Sequence, residues 1–182
     1  MGTSVYKVCG SGSGKLQSVK KIPDLSTPCL LLDLDRFESN LDKMSRFAKD
    51  HGVSLRPHAK THKCVNIAWR QIEKGAIGIS VATIAEAEVM ARAGIHGLLL
   101  TAEMVGEPKI SRLIQLVAKT PDTMVVVDHA DNVRELQQAA AAAGLRLHVL
   151  IDLDIGQNHR RAPFSAATRS KRSMRGKTRN KS

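Results

Sequence analysis

The sequence predicts an α/β fold on a parallel sheet, and three observations carry that expectation. Short apolar runs alternate with amphipathic stretches of about ten residues, the order of βαβ units. The runs are nearly continuous in Val, Ile and Leu, as expected of strands buried on both faces. Glycines stand just past the helical stretches, at Gly52, Gly75, Gly94 and Gly144, where a left-handed C-terminal residue is wanted.

Taken in order, residues 29–35 ("CLLLDLD") form a short apolar run. Residues 36–51 follow, with Phe37, Leu41, Met44, Phe47 and Ala48 at helical spacing. Strands are expected at 53–59, 77–83, 97–102, 123–128 and 147–154. Helices are expected at 65–74, 85–93, 109–119 and 132–143. Such a chain builds either a doubly wound sheet or a (β/α) barrel. No Gly-x-Gly-x-x-Gly follows a strand, which argues against the dinucleotide-binding version.

Composition limits the rest. The chain is 42% hydrophobic and only 3% aromatic, so its core must be aliphatic. No window approaches the roughly 18 apolar residues of a membrane span. Residues 1–26 are rich in Gly, Ser and Lys and are expected to be flexible, with no secretory signal. "GSGSGK" within them lacks the spacing and the Ser/Thr of a phosphate loop. Three widely spaced cysteines, Cys9, Cys29 and Cys64, form no disulfide framework, which suits a reducing, cytoplasmic setting.

The net charge is +11. Nine Lys/Arg and no Asp/Glu lie in residues 160–182, so 19 basic and 17 acidic residues remain before them. The basicity therefore belongs to residues 159–182, which show no period and are expected to be a disordered tail. Phe164 is its one aromatic, none are interleaved with the basic residues for stacking, and it matches no recognition module, so that tail predicts no specific nucleic-acid binding.

The stretch "LRPHAKTHK", residues 55–63, carries the chemistry. In a strand, Ser54, Arg56, His58 and Lys60 share the face opposite Val53, Leu55, Pro57 and Ala59. Lys60 falls at the C-terminal end of the strand, where α/β folds place their sites. Cationic neighbours favour a neutral, nucleophilic amine, as a Schiff-base lysine for pyridoxal phosphate requires. The plain alternative is a solvated surface lysine. His58 and His62 are four apart, but Pro57 keeps His58 out of a helix and no Glu lies between them, so a metal pair is not expected. They are expected to bond locally or to steer cofactor groups.

Elsewhere the residues read as structural. Glu86 and Glu88 favour a helix dipole, and Asp152 and Asp154 share one strand face. Gly156 opens a turn whose amides could meet a phosphate.

"DLSTPCLLLDLDRFESNL" and "LRPHAKTHK" together resemble the start of the D-threonine aldolase and D-serine dehydratase family. "GAIGISVATIAEAEVMARAGIHGLLLTAE" and "DLDIGQN" continue the resemblance in order, from residue 24 to residue 158. The resemblance implies an alanine racemase-like (β/α)8 TIM-type barrel and outweighs the surface-lysine reading. Lys60 then carries pyridoxal phosphate as a Schiff base. The first apolar strand, 29–33, belongs to a separate β-domain, which leaves about five of eight barrel strands.

The expected organisation is a flexible segment 1–26, a partial cofactor-binding barrel 27–158 and the tail 159–182, with the C-terminal β-domain absent. The family's phosphate-contacting arginine follows "DIGQN"; His159 stands in its place and Arg160 one step late, as a shifted reading frame or altered splice would give. A divalent metal is implied by the family, but no positions here match its ligands. The implied activity is a lyase on D-3-hydroxy amino acids, working as a homodimer. Alternatives are an inactive or cofactor-binding-only fragment, or a barrel protein of pyridoxal-phosphate homeostasis.

Overall fold

The computed structural model describes residues 6–9, 16–18, 27–28 and 31–153. The expectations for Gly156, Arg160 and the basic tail fall outside the described residues. The chain divides after Asp152, and the architecture below is that of the first unit.

The elements, in order, are β1 (Tyr6–Cys9), β2 (Leu16–Ser18), β3 (Leu31–Asp33), α1 (Leu34–Asp50), α2 (Val65–Glu73), β4 (Ser80–Val81), α3 (Ile84–Arg92), β5 (Leu99–Leu100), α4 (Glu107–Lys119), β6 (Met124–Val127), α5 (Ala130–Ala142) and β7 (His148–Ile151). All five predicted helices are present, within two residues of their expected starts. Several starts have an evident local cause. Asp33 accepts the Arg36 N–H at 3.0 Å ahead of α1, and Thr83 accepts the Glu86 N–H at 3.2 Å ahead of α3.

Two sheets form. The parallel one has the order β4-β5-β6-β7, the α/β arrangement the alternation predicted. The second is antiparallel, order β2-β1-β3. The first apolar strand is thus no part of the parallel sheet. The other two strands of its sheet come from the segment expected to be flexible, with β1 in the middle pairing with both β2 and β3.

The expected strand 53–59 is only partly realised. Its carbonyls are used, since Leu55 O accepts from Ile77 N at 2.9 Å and Pro57 O from Ser80 N at 2.8 Å. Yet the only bridge there is His58 with Ser80. Pro57 has no N–H to donate, and the chain leaves the extended path directly after His58. Regular pairing therefore covers four strands, with 53–58 as an irregular fifth along β4.

The sheet is buried unequally. The face under the helices is dry: Ile79, Val81, Leu98, Leu100, Val125 and Val127 are all buried. They pack on Ala87, Met90, Leu113, Val117 and Leu136 from α3, α4 and α5. The opposite face carries Leu99, Met124 and Val126, which are only half-buried. A closed barrel fills that face with layers of side chains from alternate strands. Here β7 is exposed along its whole length, with Ile151 at 75%.

Helix α1 leans on α2 through ions. Arg70 donates to Glu38 at 2.6 Å, and Lys74 pairs with Asp42. Beside them, Phe37, Leu41, Met44, Leu55 and Pro57 line an apolar groove of about 460 Å³.

Candidate functional site

The segment 53–58 delivers His58 to the C-terminal end of the sheet, and the backbone then tightens into a 3-10 turn, Ala59–Thr61. The turn is closed by His62 N–H and Lys63 N–H, both donating to Ala59 O, at 3.2 and 2.8 Å. Ala59 is its buried foot at 1% exposure. Lys60 lies in this turn, exposed, and makes no ion pair among the described residues. The expected strand alternation therefore holds as far as His58 and ends there. Lys60 reaches the mouth of the sheet from a turn, because the chain bends after the proline.

Two side chains fix the turn. On one side, His58 Nδ1 accepts the Lys60 N–H at 3.2 Å, while its Nε2 meets Thr101 Oγ1 at 3.0 Å beyond the end of β5. Thr101 Oγ1 donates in turn to Val81 O at 3.1 Å. On the other side, Lys63 holds a left-handed backbone, φ 46°, and its ammonium lies 3.2 Å from Glu86. The other Glu86 oxygen accepts the Ala82 N–H at 2.9 Å.

The electrostatics follow from these contacts. Burial pushes the His58 imidazole below its ordinary value and nearby Lys60 adds to this, opposed by Glu86. Burial also holds His62 below its ordinary value. Burial raises the Glu86 carboxyl, but the Ala82 N–H and Lys63 outweigh it and the net shift is downward.

Below the turn, Arg56 points along the half-open face, and its Nη1 reaches only the Met124 sulfur at 3.8 Å. Arg56 Nε and His62 Nε2 are buried without a hydrogen-bond partner in the described structure. Arg56, Lys60 and Lys63 thus bring positive charge to this end of the sheet, with Glu86 as the counter-charge of Lys63. That donor set suits an anionic cofactor with an aldehyde for an amine to capture. The 460 Å³ groove is separate; its wall contains neither Lys60, His58 nor Thr101. Among the described residues, no three His, Cys, Asp or Glu side chains gather to hold a metal ion. No helix among them is long and apolar enough to cross a membrane.

The family model for the alanine racemase N-terminal domain matches residues 32–167. The chain belongs to that family. Within the alanine racemase N-terminal domain family, its similarity runs to lyases. It is 44% identical over 133 residues to a D-threonine aldolase of Arthrobacter sp, covering 73% of this chain and 35% of that protein. It is 38% identical over 134 residues to a 3-hydroxy-D-aspartate aldolase of Paracoccus denitrificans, again covering 73% and 35%. Among solved structures, the D-threonine aldolase of Filomicrobium marinum superposes with a TM-score of 0.73 at 45% identity, over 76% of this chain and 37% of that one. The chain therefore spans about a third of the length of the curated relatives it matches.

Of the expected site residues, the structure brings Lys60 and His58 together; Gly156 and Arg160 lie outside the described residues. Thr101 was not anticipated, because a threonine after an apolar strand carries no spacing signal. Glu86 was read as a dipole partner. It has a second task as counter-ion to Lys63, and the pattern Thr83-Ile84-Ala85-Glu86, a capping-box spacing, was the available sign that its carboxylate turns back towards the loop.

Proposed function

We propose that this chain is the lysine-bearing part of a pyridoxal-phosphate-dependent lyase acting on D-3-hydroxy amino acids, with Lys60 as the Schiff-base lysine. The observation that carries the reading is a lysine that makes no ion pair among the described residues and lies exposed in a 3-10 turn at the C-terminal end of a parallel sheet, its main-chain N–H held by His58. Relatives named for D-threonine and 3-hydroxy-D-aspartate cleavage support the substrate class.

When bound, the cofactor supplies an electron sink for cleavage beside the amino-bearing carbon. The chain's own residues do the placing. Lys60 provides the amine that binds the aldehyde. His58 fixes the turn beneath it. Arg56 presents positive charge to an anionic ligand from the sheet face. In a dehydratase version of the reaction, Lys60 is also the group placed to take the α-proton. Gly156 and Arg160 are proposed to meet the cofactor phosphate, and a homodimer is the proposed assembly.

A second reading, cofactor capture without turnover, is favoured by the open sheet. The face beside Lys60 is half-exposed, and β7 is exposed throughout. Both readings are tested by mixing the chain with pyridoxal phosphate, reducing with borohydride and mapping the modified lysine by mass spectrometry. Label concentrated on Lys60 is the expected result, and label spread over many lysines would overturn both. Turnover of D-threonine or D-serine by the labelling-competent protein then separates the lyase from the capture reading.

A further inference from the structure

We propose that Thr101 is a positioning residue for Lys60, acting through His58 as a tautomer lock, and that protonation of His58 releases the Lys60 turn. The proposal deepens the reading of Lys60 as the cofactor lysine and rests on it for its functional meaning.

The directions of the hydrogen bonds follow from the backbone donor at the Lys60 end. The Lys60 main-chain N–H can only donate, so His58 Nδ1, 3.2 Å away, must be unprotonated to accept it. A neutral imidazole has one N–H, which must then be on Nε2. That N–H donates to Thr101 Oγ1 at 3.0 Å. The Thr101 hydroxyl has one proton, and it goes to Val81 O, 3.1 Å away, which can only accept. Val81 O also accepts the Thr101 N–H at 2.9 Å, so the direction of the run is set from the Lys60 N–H, which leaves Nε2 as the one place for the His58 proton.

The same histidine-to-amide link occurs twice more in the described structure, which shows what is particular here. His62 Nδ1 accepts from Cys64 N at 3.0 Å, and His129 Nδ1 from Asp131 N at 3.1 Å. The other nitrogen of His62 has no hydrogen-bond partner among the described residues. Among the described residues, only in His58 does the far nitrogen reach a hydroxyl, that of Thr101 just past β5, and only there is the capped amide that of the proposed cofactor lysine.

Protonation undoes the link. It places a second N–H on Nδ1, facing the Lys60 N–H, so donor meets donor. The charged and titratable groups around His58 are Lys60, Glu86 and His62, with Lys63 already paired to Glu86. Lys60 and burial disfavour the imidazolium and Glu86 favours it, so the neutral, linked form prevails at and above neutral pH.

The test needs no cofactor. Nitrogen NMR of the His58 ring in the full chain reads the tautomer directly, and amide exchange of Lys60 reads the link. The expected result is a proton on Nε2 near neutral pH, with the other tautomer growing in Thr101→Val and the original one restored in Thr101→Ser. Lys60 amide exchange, corrected for its intrinsic rate, should rise about fivefold as His58 titrates, the factor of one net hydrogen bond of about 1 kcal/mol. In His58→Asn, whose amide oxygen can accept the same N–H without titrating, that step should vanish. A proton on Nδ1 in the wild-type chain, a tautomer indifferent to Thr101→Val, or Lys60 exchange unchanged through the His58 titration would each overturn the proposal. Because pyridoxal phosphate is absent, failure of the lock and failure of Lys60 as the cofactor lysine are seen separately.

Discussion

Glu86 and Lys63 meet at 3.2 Å and so tie the start of α3 to the loop that carries Lys60. The pair is unequal in exposure: the Glu86 side chain is 13% exposed and that of Lys63 67%. Solvent therefore screens the ammonium while the carboxylate is largely held in place. Lys63 also sits at φ 46°, a left-handed conformation that disfavours a residue with a Cβ by about 1 kcal/mol. Glu86→Gln keeps an oxygen for the Ala82 N–H but loses the charge. It should lower stability by about 1 kcal/mol at neutral pH. The folded-state value of Glu86 lies below its ordinary 4.5, so its contribution is complete above that value and is lost as pH falls through the folded one. Urea unfolding of both proteins at neutral pH and in acid checks this; an unchanged gap in acid would contradict it.

Gly78 and Gly97 lie back to back at the entry to the sheet. A Cβ on Gly78 would stand 1.9 Å from Gly97 O, and one on Gly97 would stand 2.4 Å from Ile77 O. Both obstacles are backbone, so neither can turn aside. Gly78→Ala should destabilise by about 3 kcal/mol, the upper end of overpacking effects. Gly75→Ala is the comparison, since at φ +97° it meets nothing within 4 Å and carries only conformational strain. Thermal unfolding should rank Gly78→Ala clearly below Gly75→Ala; equal losses would show that the close approach relaxes.

The acid side of stability should be set in part by histidines. The folded-state values of His58 and His62 are both lowered from 6.5, chiefly by burial. The unfolded chain then takes up protons before the folded one, so stability is complete above 6.5 and falls as pH drops through the folded values. Denaturation midpoints should decline across that window and decline less in His62→Gln. Midpoints that rise as pH falls would contradict the assignment.

β7 presents an apolar edge, with Val149 and Leu150 each 44% exposed and Ile151 75% exposed. Such an edge favours pairing with other chains. Sedimentation should show concentration-dependent association that Ile151→Lys weakens with little effect on unfolding, since the side chain it replaces is already in water. Association unaltered by the lysine would place the contact elsewhere.

The sequence made the helices and the parallel order legible because both are written locally, in apolar spacing and closing glycines. Lys60 was legible because its motif is unusual. The exact path through it was not: Val53 to Ala59 reads as a strand by alternation, yet Pro57 removes a ladder donor and the chain turns after His58. β1 and β2 were missed because a Gly/Ser/Lys-rich segment carries no strand period, and their pairing with β3 is a tertiary fact. Thr101 was invisible for the same reason, since its role depends on a histidine 43 residues earlier.

The central claim is that the fold selects Lys60 as the residue that captures pyridoxal phosphate. The most direct measurement is the borohydride-reduced label, mapped by mass spectrometry in the wild-type chain and in Lys60→Ala. Label concentrated on Lys60, and lost from the variant without reappearing elsewhere, is the predicted result. Label distributed over the many exposed lysines, with the same total in Lys60→Ala, would contradict the account.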